Sequence, residues 1–240
     1  FPLAVSAFQR LVVPVARDCG VSLKKGLFIG AEAHADKTLG LWSKLFRDPH
    51  PSDPANLIVC GFPRPPFERP LPEPVSEFLG SGKPPVVVGF GTSVSNLMLT
   101  LPSKIASACQ SLGQRVLIIG GQALPDVSPE SVLCVPSAPY ESTFPGCSAI
   151  VHHGGIGTTG AALLSGRPSL IVPFAHDQFD NAYRVVAIGA GVKRFRWGLS
   201  QRAIASALSE ILGNTRSETI GETMRTEPDG AFAAARELLK

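Results

Sequence analysis

The sequence predicts a doubly wound α/β domain built on a parallel sheet, and three observations carry that expectation. After Pro85, short β-rich runs alternate with segments whose apolar residues recur at spacings of three and four. The runs are apolar almost without a break, the pattern of strands covered by helices on both faces. Three of them end in loops rich in Gly, His, Thr, Asp and Gln, which are residue types a plain turn does not need.

Residues 1–56 carry only a weak helical pattern, over Ala4–Cys19, followed by Gly, Ala, His and Asp in no clear period. "LIVC" (Leu57–Cys60) reads as a short buried strand. Eight prolines between Phe62 and Pro85 exclude long regular structure and fit a linker crossing a surface, interrupted by one short helix near Val75–Leu79. The strands expected next are Val86–Phe90, Arg115–Gly120, Ser131–Val135, Ser148–His152 and Ser169–Phe174, with Ala190–Phe195 a weaker sixth. Asn96–Leu112 and Thr158–Leu164 read as intervening helices, and Gln201–Leu212 and Gly230–Leu239 as amphipathic helices of the tail. The expected organisation is therefore residues 1–56, then a linker and entry strand over 57–85, then a doubly wound α/β domain over 86–240.

The chain of 240 residues is 44% hydrophobic and 17% charged, which fits a packed globular protein. Lysines and arginines are scattered except for Lys193, Arg194 and Arg196 in "GVKRFRW", and a net charge of +3 is too small to argue for nucleic acid, which is not expected as a partner. The 5 cysteines are widely spaced with no CxxC pair, so they indicate neither a zinc site nor a disulfide framework, and buried thiols in a reducing cytoplasm are expected. No apolar run approaches the roughly 20 residues of a membrane span, and no signal peptide is visible. A cytoplasmic protein follows, and peripheral membrane contact is compatible with it. The first residue is Phe1 and not methionine, so a piece of a longer protein is expected.

In such a sheet ligands sit at the carboxyl ends of the strands, near the point where strand order reverses. "GFGTS" (Gly89–Ser93), "HHGGIGTT" (His152–Thr159) and "PFAHDQ" (Pro173–Gln178) stand at three such ends and can surround one crevice. "GGIGTT" feeding a helix has the form of an anion site, in which free N–H groups and the helix dipole meet a negative ligand. A tight turn whose threonines merely cap the helix accounts for the same residues. A dinucleotide site is disfavoured, because "GFGTSVS" lacks the third glycine of GxGxxG and "IIGGQ" ends the second strand without an acidic residue.

Consecutive residues at a strand end point to opposite faces, so His152 and His153 do not share a metal or a proton. His153, nearer the turn, is the candidate phosphate donor, with His152 supporting it from beneath. Asp177 and Gln178 carry the acceptors and donors that bind vicinal sugar hydroxyls, although Asp177 or Asp180 as the N-cap of a helix running to Ala187 is an equally ordinary reading.

The ordered motifs in Ala138–Val192, "APYESTFPGCSAIVHHGGIGTTGAALLSGRPSLIVPFAHDQFDNAYRVVAIGAGV", closely resemble the donor-binding signature of inverting, metal-independent nucleotide-sugar glycosyltransferases. The bacterial branch, acting on antibiotics and sterols, is the nearest in its "HHGG.GTT" and "P...DQ..NA.RV" patterns. "FLGSGKPPVVVGFGTS" (Phe78–Ser93) is similar to the opening of that family's C-terminal domain. The resemblance covers roughly residues 57–240 and implies the C-terminal half of a GT-B protein, in which two Rossmann-like domains face each other across a cleft.

Carried onto this chain, the resemblance implies that His153, Gly155, Gly157, Thr158 and Thr159 hold a diphosphate, approached also by Thr92 and Ser93. It puts Asp177 and Gln178 on the sugar, and Ala138, Pro139 and Tyr140 on the base and ribose. The implied co-substrate is a UDP- or dTDP-sugar, with no cofactor and no metal, and the implied acceptor is a hydroxyl of a small lipophilic compound. Plant members carry a tryptophan where this chain has Ser137, which leaves the base unassigned. The implied catalytic base lies in an N-terminal acceptor domain, of which residues 1–56 resemble only the end. Neither His34 nor His50 sits in a recognisable base motif. Two other readings follow from the same residues: a nucleotide-sugar-binding module that works with a separate acceptor subunit, and a sugar-nucleotide epimerase of similar architecture.

Overall fold

The computed structural model describes residues 14, 15, 17, 18, 20, 35–65, 69–91, 100–121, 124, 128 and 130–240. Most of Ala4–Cys19, the expected helical residues 96–99, and Thr92 and Ser93 lie outside the described residues. A two-stranded parallel sheet comes first, β1 (Thr38–Gly40) beside β2 (Leu57–Val59). There follow α1 (Glu73–Gly80), β3 (Val86–Gly89), α2 (Leu101–Ser111), β4 (Val116–Ile119) and β5 (Val132–Val135). A short helix α3 (Tyr140–Thr143) runs on into a 3-10 turn over Phe144–Gly146. The second half comprises β6 (Ala149–His152), α4 (Ile156–Ser165), β7 (Ser169–Ile171), α5 (Gln178–Ala187) and β8 (Gly191–Lys193). Three helices close the chain: α6 (Gln201–Ile211), α7 (Arg216–Thr226) and α8 (Gly230–Leu238).

The main sheet has the order β5-β4-β3-β6-β7-β8, and every neighbouring pair is parallel. This is the doubly wound Rossmann-like order, in which the chain steps outward from β3 on one side and from β6 on the other. The unbroken apolar runs are explained by the two layers. Val86 and Val88 face one layer with Ile105 and Cys109 of α2 and Ile204 and Leu208 of α6. Val87, between them, faces the other layer with Phe78 of α1, Phe144 and Ala162 of α4. A third cluster joins Ile171 and Leu163 to Val185 of α5 and to Ile220 and Met224 of α7. Each such fully buried aliphatic or aromatic side chain contributes about 1.5–3 kcal/mol of transfer free energy. Among the described cysteines, Cys60, Cys109 and Cys147 are free and buried, and burial pushes the thiols of Cys109 and Cys147 up to about 12.

The linker lies along α4, where the Phe62 ring occupies the space a Cβ on Gly160 would need, 2.6 Å away. The segment before it is tied to the end of the chain. Lys37 Nζ donates to the Glu237 carbonyl, Ser43 Oγ to Glu227 Oε1 at 2.7 Å, and the Arg64 amide to Asp229 Oδ2 at 2.7 Å.

Candidate functional site

The sheet reverses its winding between β3 and β6, whose last residues, Gly89 and His152, are register partners. The loops leaving them therefore start side by side. Gly91, at φ +67°, stands where a Cβ would lie 3.5 Å from His153 Cε1, so the first loop borders the histidine of the second. Gly154 adopts φ +90°, and a Cβ there would sit 3.0 Å from both the Gln178 carbonyl oxygen and Ile171 Cγ2. Only glycine satisfies both the conformation and the close approach.

The turn ends in α4, whose N-cap is Gly155 with no side-chain hydrogen bond to the helix end. The first helical bond is Thr159 N–H to the Gly155 carbonyl at 2.9 Å, which leaves the amides of Ile156, Gly157 and Thr158 without an intrahelical acceptor. By contrast α6 and α8 are capped by Ser200 and Asp229. The threonines of the motif do not cap α4. A Cβ on Gly157 would meet nothing within 4 Å, so the helix end opens onto free space. Thr158 is half-buried beside it. Thr159 is fully buried, and its hydroxyl has no partner among the described residues.

The two histidines are separated as strand alternation requires. His152 is fully buried, and its Nδ1 accepts the Gly154 amide at 3.1 Å, which holds the turn and places the ring proton on Nε2. Burial pushes its pKa down to about 3, with neighbouring His153 acting in the same direction. His153 is half-buried; burial lowers its pKa below the ordinary value, while the nearby Asp177 carboxylate opposes that shift. The Asp177 field thus reaches His153 from the third loop. Among the described residues no group of three His, Cys, Asp or Glu side chains comes together to hold a metal ion.

The third loop contains His176 at φ +55°, the described non-glycine residue with a positive φ. Asp177 occupies the N-cap position of α5 but makes no cap bond, and stands exposed. Its Oδ2 accepts from Asn181 Nδ2 at 2.9 Å. Gln178 does not offer both halves of its amide. Its Oε1 accepts from the amides of Phe174 at 2.8 Å and Ala175 at 3.1 Å, which leaves Nε2 as the free donor.

Asn181, which had no expected role, and Tyr140, expected at the base and ribose, organise the crevice. Asn181, buried, donates through Nδ2 to Asp177 and also to the Gly154 carbonyl at 2.9 Å, joining the second and third loops. The signal was the Asn one helical turn after Asp177 in "DQFDNA". Tyr140 stacks on Phe144 with centroids 4.6 Å apart, and burial raises its phenol pKa while the nearby Gly91 amide opposes that shift. A Cβ on Gly89 would lie 2.7 Å from the Tyr140 hydroxyl oxygen, so the phenol supports the first loop from below. Ala138 and Tyr140 line an open groove of about 1280 Å3 that also takes in Ile156, Gly157, Arg64 and Arg69. Pro139 caps α3.

The arrangement suits a ligand with an anionic middle held at the end of α4, a hydroxyl-bearing end at Asp177 and Gln178, and a further part toward Ala138. Known proteins bear on its kind. The chain is 34% identical over 171 residues to an uncharacterized glycosyltransferase of Mycobacterium leprae, covering 69% of this chain and 40% of that one. It is 34% identical over 181 residues to the sterol 3-beta-glucosyltransferase of Komagataella phaffii (69% and 15% covered). Over 184 residues it is 34% identical to the vancomycin aglycone glucosyltransferase of Amycolatopsis orientalis (72% and 43% covered). The chain thus spans less than half the length of these relatives.

Among solved structures, the calicheamicin glycosyltransferase matches with a TM-score of 0.66 at 19% identity, covering 100% of this chain and 62% of that one. The spinosyn forosaminyltransferase matches at 0.69 and 20%, covering 84% and 54%. At such identities the likeness is one of fold, that of GT-B glycosyltransferases. Residues 103–233, more than half of the chain, match the family described as "Erythromycin biosynthesis protein CIII-like, C-terminal domain", and the chain belongs to that family of glycosyltransferase domains.

Proposed function

We propose that the chain is the donor-binding half of an inverting, metal-independent glycosyltransferase, which holds a UDP- or dTDP-sugar for transfer to a hydroxyl of a small lipophilic acceptor. The observation that carries this reading is the uncapped N-terminus of α4, with three amides free at the switch point of the sheet. A diphosphate there takes hydrogen bonds from Ile156, Gly157 and Thr158 and from His153. Thr92 and Ser93, which follow Gly91 in the sequence, would approach the same phosphates. When the sugar–phosphate bond breaks, negative charge grows on the leaving diphosphate, and fixed amides and a helix dipole stabilise that charge without a cation.

Asp177 accepts from one sugar hydroxyl, and Gln178 Nε2 donates to another oxygen of the same sugar. The base and ribose lie toward Ala138, Pro139 and Tyr140. The base that deprotonates the acceptor belongs to an acceptor domain of the longer enzyme, so these 240 residues alone bind donor without efficient transfer. Free, buried thiols fit a cytoplasmic setting.

Thermal melting with UDP and dTDP tests the reading. At a hundredfold excess over Kd, the ligand raises stability by about 2.7 kcal/mol, a shift of about 5–10 °C for a chain of this size. His153→Ala combined with Thr158→Ala removes the shift. No shift with any nucleoside diphosphate would sink the proposal.

A further inference from the structure

Beyond β8 the chain keeps the alternation of a strand while running off the edge of the sheet. Lys193 and Phe195 turn toward α5: the Lys193 ammonium lies 5.2 Å over the Tyr183 ring, and Phe195 stacks on Phe179 with centroids 6.3 Å apart. Arg194 and Arg196 turn the other way. Arg194 pairs with Glu210 of α6 at 2.8 Å, and the Arg196 guanidinium lies 4.6 Å over Trp197 and 5.9 Å over Phe174. Three of the four large exposed aromatic residues among the described residues gather here, the fourth being Phe232 of α8. Trp197 is 65% exposed, Tyr183 61% and Phe195 53%, and Val186 continues the stripe along α5 at i+3 from Tyr183. Among the described residues no other strand flanks β8.

Charge is distributed to match. Of the acids beside the patch, Asp180 and Glu210 are engaged with Arg184 and Arg194, and Asp177 accepts from Asn181. Lys193 and Arg196 form no ion pair among the described residues, and both are held against ring faces. Rings with an apolar body and a polar edge, interleaved with unpaired cations, fit the boundary between lipid headgroups and acyl chains. A polyanionic strand would ask for a row of free cations, and here exposed aromatics outnumber them. No helix among the described residues is long and apolar enough to cross a membrane, so contact of this kind stays at the interface.

We propose that Lys193–Trp197, with the outer face of α5, docks this chain on an anionic lipid bilayer. The proposal is independent of the donor-site reading. The patch is contiguous with the loop carrying Asp177 and Gln178, since Phe179 follows Gln178 directly, so docking brings that loop to the membrane surface.

The test uses the full 240-residue chain and vesicles of phosphatidylcholine with or without phosphatidylglycerol. The chain has two tryptophans, so Trp42→Phe leaves Trp197 as the reporter. Cosedimentation with the anionic vesicles, a blue shift of Trp197 emission and weakening by salt are expected. Phe195→Ser with Trp197→Ser should reduce partitioning at least ten-fold. Lys193→Glu and Arg196→Glu should each reduce it about five-fold or more. Melting temperatures of these exposed-residue variants should stay near that of the parent, and so should their shifts with UDP or dTDP, which separates this test from that of the donor site. Absence of cosedimentation, equal partitioning by the variants, or patch-dependent self-association without lipid would overturn the proposal.

Discussion

The imidazole of His152 has no contact with water and accepts the Gly154 amide through Nδ1, so the fold holds it neutral. Its folded pKa, about 3, lies below the unfolded histidine value, so between the two the unfolded chain binds more protons. Stability from this group is complete above about pH 6.5 and declines as pH falls toward the folded value, with a slope of up to about 1.4 kcal/mol per unit. Denaturant unfolding at stepped pH measures that slope, and His152→Asn should flatten it; an unchanged slope would remove His152 from the account. His153 responds in the other direction when ligand binds. Burial depresses its pKa in the free chain, and a bound diphosphate raises it. Affinity for UDP should therefore increase as pH falls through the raised value and level off below the depressed one. Calorimetric titration across that range checks it, and His153→Gln should abolish the dependence.

The free end of α4 separates folding from binding more cleanly than any single side chain. Gly157 sits in the first turn with open space where a Cβ would stand. Gly157→Ala should keep or slightly raise the melting temperature, since alanine favours a helix over glycine by up to about 1 kcal/mol. The added methyl projects at the phosphate position, so nucleotide affinity should fall about ten-fold, a loss of roughly 1.4 kcal/mol. A variant that loses both would mean the helix end is structural only.

At this scale the sequence was unevenly legible. The six strands of the main sheet could be read because both faces of each are covered and the runs are apolar throughout. Helix α7 could not, although its buried residues, Ser217, Ile220, Gly221 and Met224, fall at the helical spacing. Half of that face is made of small residues, which let the helix approach α4 so closely that a Cβ on Gly221 would lie 2.6 Å from Gly166 Cα. A pattern read through hydrophobicity misses contact made by absence of bulk. The site was legible as a set of loops, since glycines and polar residues at strand ends stand out. Its wiring was not: whether an amide such as Gln178 faces a ligand or a neighbouring backbone depends on chain geometry.

The molecule as a whole is joined where the linker meets its last helix. Asp229 accepts from the Arg64 amide through Oδ2 at 2.7 Å and caps α8 through Oδ1 at 2.9 Å from the Phe232 amide. The Arg64 guanidinium donates to the carbonyls of Arg225 and Glu227, and Gly61 and Gly230 leave no room between them for a side chain. Asp229→Ala removes the cap and leaves the Arg64 amide unpaired, which should cost about 1–3 kcal/mol. Asp229→Asn should recover part of it, and a pair of chemical denaturation curves would show both. Mechanically this joint is a buckle. It closes the 165 positions between Arg64 and Asp229 into a single loop. Tension applied to the two segments outside it should load this joint before the six-stranded sheet, and single-molecule pulling would show a lower first rupture force in Asp229→Ala than in the parent.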